Sequence, residues 1–177
     1  MGCSKSLFDM KQNFPIILVI AGMLMTPVCF AAPKTILVFG DSLSAGYGMP
    51  AESGWVYLLT QRVQSKFAEY QIINASISGE TALGGRNRIR QALQQHRPDI
   101  IILELGANDG LRGASIKSIH DNLATIIEIC RQNNTLVLLV GMQLPPNYGI
   151  TYTQKFQAVF AQLAENYQIK LIPFLLA

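Results

Sequence analysis

The chain has 177 residues, of which 50% are apolar and 14% are charged, and its formal net charge is +3. This length suits one globular domain with or without a targeting segment, and the composition excludes intrinsically disordered, collagen-like, coiled-coil and disulfide-dense proteins. The densest basic cluster, Arg86, Arg88 and Arg90, is predicted to lie on a solvated helix face. With so small a net charge, we expect no nucleic-acid partner.

Residues 1–31 have the features of a secretory signal peptide. Lys5 and Lys11 precede a segment without charge that runs from Phe14 to Ala32. Cys29 and Ala31 are the small residues that signal peptidase requires at its −3 and −1 positions, so we expect cleavage after Ala31. The mature protein would then be periplasmic or secreted, without stable insertion in a membrane.

Three alternatives remain open for this segment. Translation can start at Met10 instead of Met1, because the sequence from Met10 onward already forms a short basic and apolar leader. An uncleaved N-terminal membrane anchor is a second alternative. A lipoprotein modified at Cys29 is a weaker third, because Val28 before it is not a small residue.

The mature domain, residues 32–177, alternates predicted strands and helices. Short runs of β-branched and aliphatic residues predict buried strands. These runs are Thr35–Phe39, Ile72–Ala75, Ile100–Leu105, Thr135–Val140 and Ile169–Leu175. They predict one α/β domain with a three-layer, flavodoxin-like fold, in which helices cover both faces of a five-stranded parallel sheet.

Apolar residues that recur every three or four positions predict helices between the strands. Ser53 is predicted to cap the first helix, whose inward residues are Trp55, Leu58, Leu59, Val63 and Phe67. The second helix is predicted to run from about Thr81 to His96, with Leu83, Ile89, Ala92 and Leu93 facing inward. Ser115 is predicted to cap the third helix. The apolar residues of the fourth are Phe156, Val159, Phe160, Leu163 and Tyr167. Cys130 lies on the apolar face of the third helix. Since Cys3 and Cys29 leave with the signal peptide, we expect Cys130 to be a core residue without a disulfide partner.

Ligands of such sheets bind at the carboxyl ends of the strands, where the loops of this chain begin at Gly40, Ser76, Gly106 and Gly141. Ser42 follows the first strand, in a helix-like turn whose N–H groups can stabilise a developing oxyanion. The same sequence is also compatible with an ordinary capped turn that has no catalytic role. The sequence contains no GxSxG nucleophile elbow around this serine, no GxxxxGK[ST] phosphate loop and no complete GxGxxG dinucleotide fingerprint.

Two further residues are predicted to converge on Ser42. Gly79 ends the loop after the second strand, where a missing side chain lets a backbone N–H approach a ligand. Asn108 ends the loop after the third strand, and its side-chain amide can donate to the same point. Because these strands are adjacent in a flavodoxin-like order, the Ser42 N–H, the Gly79 N–H and the Asn108 amide would form an oxyanion hole with three donors.

Three segments carry a family resemblance: Gly40–Ser44 (GDSLS), Asn74–Thr81 (NASISGET) and Gly106–Asp109 (GAND). They resemble the first three blocks of the GDSL, or SGNH, hydrolase family. The likeness covers residues 34–176. It is a close match to the periplasmic members of this family in Gram-negative bacteria, which act as acyl-CoA thioesterases, arylesterases and lysophospholipases.

The resemblance implies Ser42 as the nucleophile and Ser42, Gly79 and Asn108 as the oxyanion donors. It implies hydrolysis of acyl esters, thioesters or lysophospholipids without a cofactor. No His, Asp or Glu cluster in the sequence has the spacing of metal ligands, so we expect no metal site. The loop Gly141–Ile150 would border the groove for the acyl chain.

The fourth block of the family, Asp-x-x-His, is absent from this sequence. That block supplies the catalytic base and the residue that orients it. Neither histidine present is predicted to replace it, because His96 precedes the third strand, at the opposite edge of the sheet from Ser42, and His120 points from the side of a helix. The run Ile172–Ala177 ends without a loop or cap, so we expect a domain that is incomplete at its C-terminus and impaired or inactive as given.

Two other functional classes are compatible with the predicted fold. A degenerate relative without catalysis would keep the groove and bind lipids or acyl groups. A flavodoxin-like signalling or electron-transfer domain is disfavoured by the signal peptide and by the lack of a flavin phosphate-binding pattern. The set of Ser42, Gly79 and Asn108 favours the hydrolase, because a binding protein does not need an oxyanion hole. We expect a monomer whose partners are small acyl substrates.

Overall fold

A computed structural model describes residues 33–175 of the chain. The predicted signal peptide, residues 1–31, and its cleavage site lie outside the described residues. Within the described part, five strands and six α-helices alternate along the chain. None of these helices combines the length and the apolar character that crossing a membrane requires.

The five parallel strands form one sheet in the order β2-β1-β3-β4-β5. Their bounds are β1 Lys34–Gly40, β2 Tyr70–Asn74, β3 Ile100–Glu104, β4 Leu136–Val140 and β5 Lys170–Ile172. The predicted five-stranded parallel sheet and its flavodoxin-like order are therefore confirmed. The predicted length of the fifth strand, Ile169–Leu175, is wrong. Its pairing with β4 ends at Ile172, because Pro173 has no N–H to continue the ladder.

The helices are α1 Ser42–Ala45, α2 Trp55–Lys66, α3 Ala82–His96, α4 Ala107–Leu111, α5 Ile116–Gln132 and α6 Ile150–Tyr167. Short 3₁₀ turns, Ala51–Ser53 and Pro146–Tyr148, precede α2 and α6. Helix α5 packs between α3 and α6. The connection from β1 to β2 runs toward one edge of the sheet, and the later connections run toward the other. Right-handed crossovers therefore place α2 on one face and α3, α5 and α6 on the opposite face.

Side-chain caps begin two of the long helices, and the one at Ser115 confirms the cap predicted from the sequence. The Thr81 and Ser115 hydroxyl oxygens each accept the N–H of the third residue after them, both at 3.1 Å. The predicted cap at Ser53 is wrong, because α2 begins after Gly54 without a side-chain cap. Ser53 is instead the last residue of the preceding 3₁₀ turn, so the start of the helix is displaced by one residue.

The core is formed by the inner strands together with the α3–α5–α6 layer. Its completely buried side chains include Leu37, Val38, Phe39, Ile101 and Leu103 of the strands and Ile89, Ile119, Leu123, Ile126, Ile127, Phe156 and Leu163 of the helices. Cys130 on α5 is also buried, which confirms the predicted core position. Burial raises the pKa of the Cys130 thiol to about 12. A thiol with this pKa keeps its proton at neutral pH and is a poor nucleophile.

Three residues predicted to face the core are exposed instead. Leu58 and Phe67, at α2, expose 56% and 52% of their surface, and Leu83 on α3 exposes 51%. Helix α2 packs mainly against the edge strand β2, so its apolar stripe is wider than the surface that it covers. Within α2, only Val56 and Val63 are buried.

We expect Phe160→Ala to lower the free energy of unfolding by about 3–5 kcal/mol, because the substitution leaves a cavity in the core. The ring is 1% exposed and contacts Phe156 edge to face. The matched control Leu58→Ala removes an exposed side chain and should change the free energy by no more than about 0.5 kcal/mol. Denaturant unfolding followed by circular dichroism measures both variants. Equal losses would contradict the described core.

Candidate active site

The turn that follows β1 is shaped by a close contact at Gly40. A Cβ atom at this buried position would lie 2.5 Å from the Glu104 Oε2 and 2.6 Å from the Ser44 Oγ, so only glycine leaves room for both. Asp41 follows and is also buried. Its Oδ1 accepts the Leu43 N–H at 3.0 Å, which caps the short helix α1.

Ser42 is the first residue of α1 and is half-buried. Its N–H lies in the first turn, where a helix offers no carbonyl partner. Within residues 33–175, neither this N–H nor the Ser42 hydroxyl makes a hydrogen bond. The structure therefore leaves both groups of the predicted nucleophile free to meet a ligand.

Asn108, the second residue of α4, joins the loops that follow three strands. Its side-chain Nδ2 donates to the Asp41 Oδ2 at 3.0 Å and to the Glu80 carbonyl oxygen at 2.9 Å. Both amide hydrogens are engaged within the protein, so a substrate oxyanion would have to share or replace one of these bonds. Burial raises the pKa of Asp41, although the bonds from the Leu43 N–H and from Asn108 oppose the rise.

Gly79 lies in the loop after β2, with a φ of +78° that favours glycine. A Cβ atom there would meet no other atom, so the need for glycine comes from the backbone conformation and not from crowding. Gly79 directly precedes Glu80, whose carbonyl accepts the Asn108 amide. The structure therefore places Gly79 beside this contact but outside the set of residues that line the cavity at Ser42.

A cavity of about 270 Å³ opens at the carboxyl ends of the central strands. Its polar lining residues are Asp41, Ser42, Asn108 and Gln143, and its apolar ones are Leu43, Ala107, Leu111, Met142, Leu144, Pro145 and Phe174. The structure thus brings Ser42 and Asn108 into one cavity. Of the predicted groove loop Gly141–Ile150, residues 142–145 line this cavity. Such a lining suits a ligand that has a polar reactive group and an apolar chain.

Glu104 is a buried carboxyl of the site that sequence reasoning does not identify. Its Oε2 accepts the Ser44 hydroxyl at 2.5 Å and the Asp41 N–H at 3.3 Å. Burial and, second, the neighbouring Asp41 carboxyl raise the pKa of Glu104 to about 8. The sequence does hold a signal for it, because a glutamate inside the aliphatic run Ile100–Leu105 is costly to bury.

Arg88 lies beneath the loop that carries Gly79, so its predicted place on a solvated helix face is wrong. Its Nε donates to the Glu80 Oε2 at 2.6 Å, and its Nη1 donates to the Ala75 carbonyl at 2.9 Å. The guanidinium lies 3.8 Å from the centre of the Phe39 ring. Because both charged side chains are largely buried, this ion pair holds the loop more firmly than an exposed pair would.

The two histidines of the sequence lie away from Ser42. His96 is the last residue of α3, at the amino-terminal edge of the sheet, and His120 lies on α5 with its Nδ1 3.3 Å from the Asp121 Oδ1. Neither lines the cavity at Ser42. Among residues 33–175, no three His, Cys, Asp or Glu side chains are arranged to hold a metal ion. Neither histidine is therefore placed to accept the Ser42 proton.

The model of the GDSL-like Lipase/Acylhydrolase family matches residues 38–177. The chain is 43% identical over 145 residues to an arylesterase of Vibrio mimicus, and the match covers 82% of this chain and 72% of the relative. It is 42% identical over 144 residues to the thioesterase 1/protease 1/lysophospholipase L1 of Escherichia coli K12, with 81% and 68% covered. The solved structure of AlinE4, an SGNH-hydrolase family esterase, matches with a TM-score of 0.78 and 39% identity, covering 83% of this chain and 79% of that chain.

The matched region includes all three segments that carry the resemblance, from the serine turn to Asn108. The fold agrees as well, because the five-stranded parallel sheet matches that of the SGNH structures. The resemblance predicted from the sequence is therefore confirmed. The chain belongs to the GDSL-like lipase/acylhydrolase, or SGNH hydrolase, family.

Proposed function

We propose that the protein cleaves acyl esters and thioesters with Ser42 as the nucleophile. The observation that carries the proposal is the position of Ser42, which lines a largely apolar cavity and whose hydroxyl and N–H have no partner in residues 33–175. Family membership makes the chain a hydrolase. The names of the relatives, an arylesterase and a thioesterase/lysophospholipase, support esters, thioesters and lysophospholipids as substrates.

In the proposed reaction, the Ser42 Oγ attacks the carbonyl carbon of the substrate and its proton passes to a base. The bond to the leaving oxygen or sulfur then breaks, the alcohol or thiol takes up that proton, and water hydrolyses the acyl-enzyme. The negative oxygen of each tetrahedral intermediate would accept hydrogen bonds from the Ser42 N–H, the Gly79 N–H and the Asn108 amide. These steps require neither a cofactor nor a metal.

The proposed oxyanion hole is supported by the contacts that hold its donors. Ser42 and Asn108 line the same cavity. Asn108 and Arg88 both bind Glu80, the residue after Gly79, and these bonds support Gly79 as the third donor. Donors that are fixed before the substrate arrives need little reorganisation during the reaction.

Neither histidine of this chain is placed to act as the catalytic base. A serine hydroxyl is a weak nucleophile at neutral pH without a base beside it. The sequence holds no Asp-x-x-His, and both histidines lie outside the cavity. We therefore propose that the chain as given is impaired and hydrolyses esters through oxyanion stabilisation and substrate binding alone. A non-catalytic protein that binds acyl groups in this cavity is the alternative, and turnover of an aryl ester separates the two.

We further propose that the mature domain, residues 32–177, acts in the periplasm or outside the cell, on the support of the signal peptide predicted at residues 1–31. Its partners would be small acyl substrates. A monomer suffices for this role, because Ser42, Asn108 and the cavity all come from one chain.

In a version of the chain extended by an Asp-x-x-His segment of the family, we expect Ser42→Ala to abolish aryl-ester hydrolysis and labelling by a fluorophosphonate. The fold should be unchanged, because the Ser42 hydroxyl makes no hydrogen bond within residues 33–175. Steady-state rates, mass spectrometry and circular dichroism check these points. The matched control Ser53→Ala, at an exposed serine outside the cavity, should keep the full rate. Retained labelling of Ser42→Ala would exclude this serine as the nucleophile.

In the same extended version, Asn108→Ala should lower kcat by about 10²–10³-fold with little change in KM, because an oxyanion donor acts mainly in the transition state. The variant also loses the bonds to Asp41 and Glu80, so its unfolding is measured beside its kinetics. The control Asn133→Ala loses a bond to the Ile129 carbonyl at the far end of α5 and should keep the normal kcat. An effect on KM alone would make Asn108 a ground-state binding residue.

Without the extension, the chain should hydrolyse an aryl ester only about 10³–10⁴-fold faster than water does, and it should resist a fluorophosphonate. His96→Ala and His120→Ala should each leave this slow rate unchanged, because neither side chain lines the cavity. The comparison is made by measuring rate and labelling for the unextended chain, its two histidine variants and the extended version. Rapid labelling that one histidine variant loses would show that the chain carries its own base.

A further inference from the structure

We propose that Glu104 is a positioning residue of this reaction, whose buried carboxyl holds the turn Asp41–Ser44 so that the Ser42 N–H and hydroxyl face the cavity. This inference rests on the proposed function of Ser42. Glu104 itself does not line the cavity, so it acts through the turn and not on the substrate.

One oxygen of Glu104 fastens the turn on both sides of Ser42. The Oε2 accepts the N–H of Asp41, the residue before the serine, at 3.3 Å. It also accepts the hydroxyl of Ser44, two residues after the serine, at 2.5 Å. A shift of this oxygen would therefore move both ends of the segment that carries the nucleophile.

The register of the sheet places the carboxyl under the turn. Glu104 pairs with Gly40 across the β1–β3 ladder, and Gly40 is the residue from which the turn departs. A Cβ atom at Gly40 would collide with the Glu104 Oε2, so the carboxyl occupies the space that this glycine leaves. The absence of a side chain at Gly40 thus allows the Glu104 carboxyl to lie directly against the backbone of the turn.

The cost of this arrangement argues that the carboxyl does more than fill space. Glu104 is 0% exposed, and its Oε1 makes no hydrogen bond within the described residues. A buried polar atom without a partner destabilises the fold, whereas an aliphatic residue at the end of β3 would not. Burial and, second, the adjacent Asp41 raise the pKa of this carboxyl to about 8, which favours its neutral form. A glutamine has the same shape and keeps one acceptor oxygen, so it can take the place of Glu104.

The test compares variants of the unextended chain by the kcat and KM of its slow hydrolysis of p-nitrophenyl acetate, beside their melting temperatures. Glu104→Ala removes the acceptor and should lower kcat by about tenfold or more, with KM changed by less than about twofold. Glu104→Gln keeps an acceptor oxygen and should restore kcat to within about threefold of the original. The matched control Ile102→Ala, a buried residue on the same face of β3, should lower the melting temperature but not kcat.

Should Glu104→Ala fail to fold, Ser44→Ala removes one of the two donors and should lower kcat in the same sense. The positioning role is overturned if Glu104→Ala keeps kcat, or if Glu104→Gln is as slow as Glu104→Ala. Asn108→Ala, measured in parallel, separates this failure from that of the proposed function. If Asn108→Ala also leaves the slow hydrolysis unchanged, the proposed oxyanion hole fails. If only the Glu104 variants are normal, the positioning role alone fails.

Discussion

Strand β1 lies between β2 and β3, and the candidate site depends on this placement. Val38 pairs with Asn74 of β2 on one side and with Ile102 of β3 on the other, so the three strands end at nearly the same level. The loops that follow are tied to one another. The Ile77 N–H donates to the Gly40 carbonyl at 3.0 Å, which ties the loop after β2 to the end of β1. The Asn108 side-chain amide, on α4 after β3, binds Asp41 after β1 and Glu80 after β2. Loops without regular structure thus take fixed positions from the register of the sheet.

Three carboxyl groups, those of Asp41, Glu104 and Asp109, are buried at the carboxyl ends of β1 and β3. Burial is the main cause that raises the pKa of each. An acid whose pKa is higher in the folded state contributes stability below its unfolded pKa, and that contribution is lost as the pH rises to the folded pKa. For Glu104 the loss runs from about pH 4.5 to about pH 8. The acids therefore weaken the fold at neutral pH, and the aliphatic core of β1, β3 and α5 has to offset this.

The sheet and part of the site can be predicted from the sequence because they depend on local pattern. Buried parallel strands are continuous apolar runs, and Ser42 lies in the turn that follows one of them. Glu104 and Arg88 cannot be predicted in this way, because their partners lie far along the chain. Glu104 binds Ser44, 60 residues earlier, and Arg88 stacks on Phe39. Periodicity assigns a residue to a face of an element, but the partner that it meets there is set by the topology of the sheet.

In the proposed mechanism, the Asn108 amide starts with both hydrogens already bonded, to the Asp41 carboxyl and the Glu80 carbonyl. An uncharged ester carbonyl is no better an acceptor than these groups, so it gains little by displacing them. An oxygen that carries a full negative charge is a stronger acceptor and can take one hydrogen from them. If Asn108 is an oxyanion donor as proposed, these internal bonds set a threshold that the tetrahedral intermediate passes and the substrate does not. The proposed site would then keep its binding energy for the step at which the charge develops.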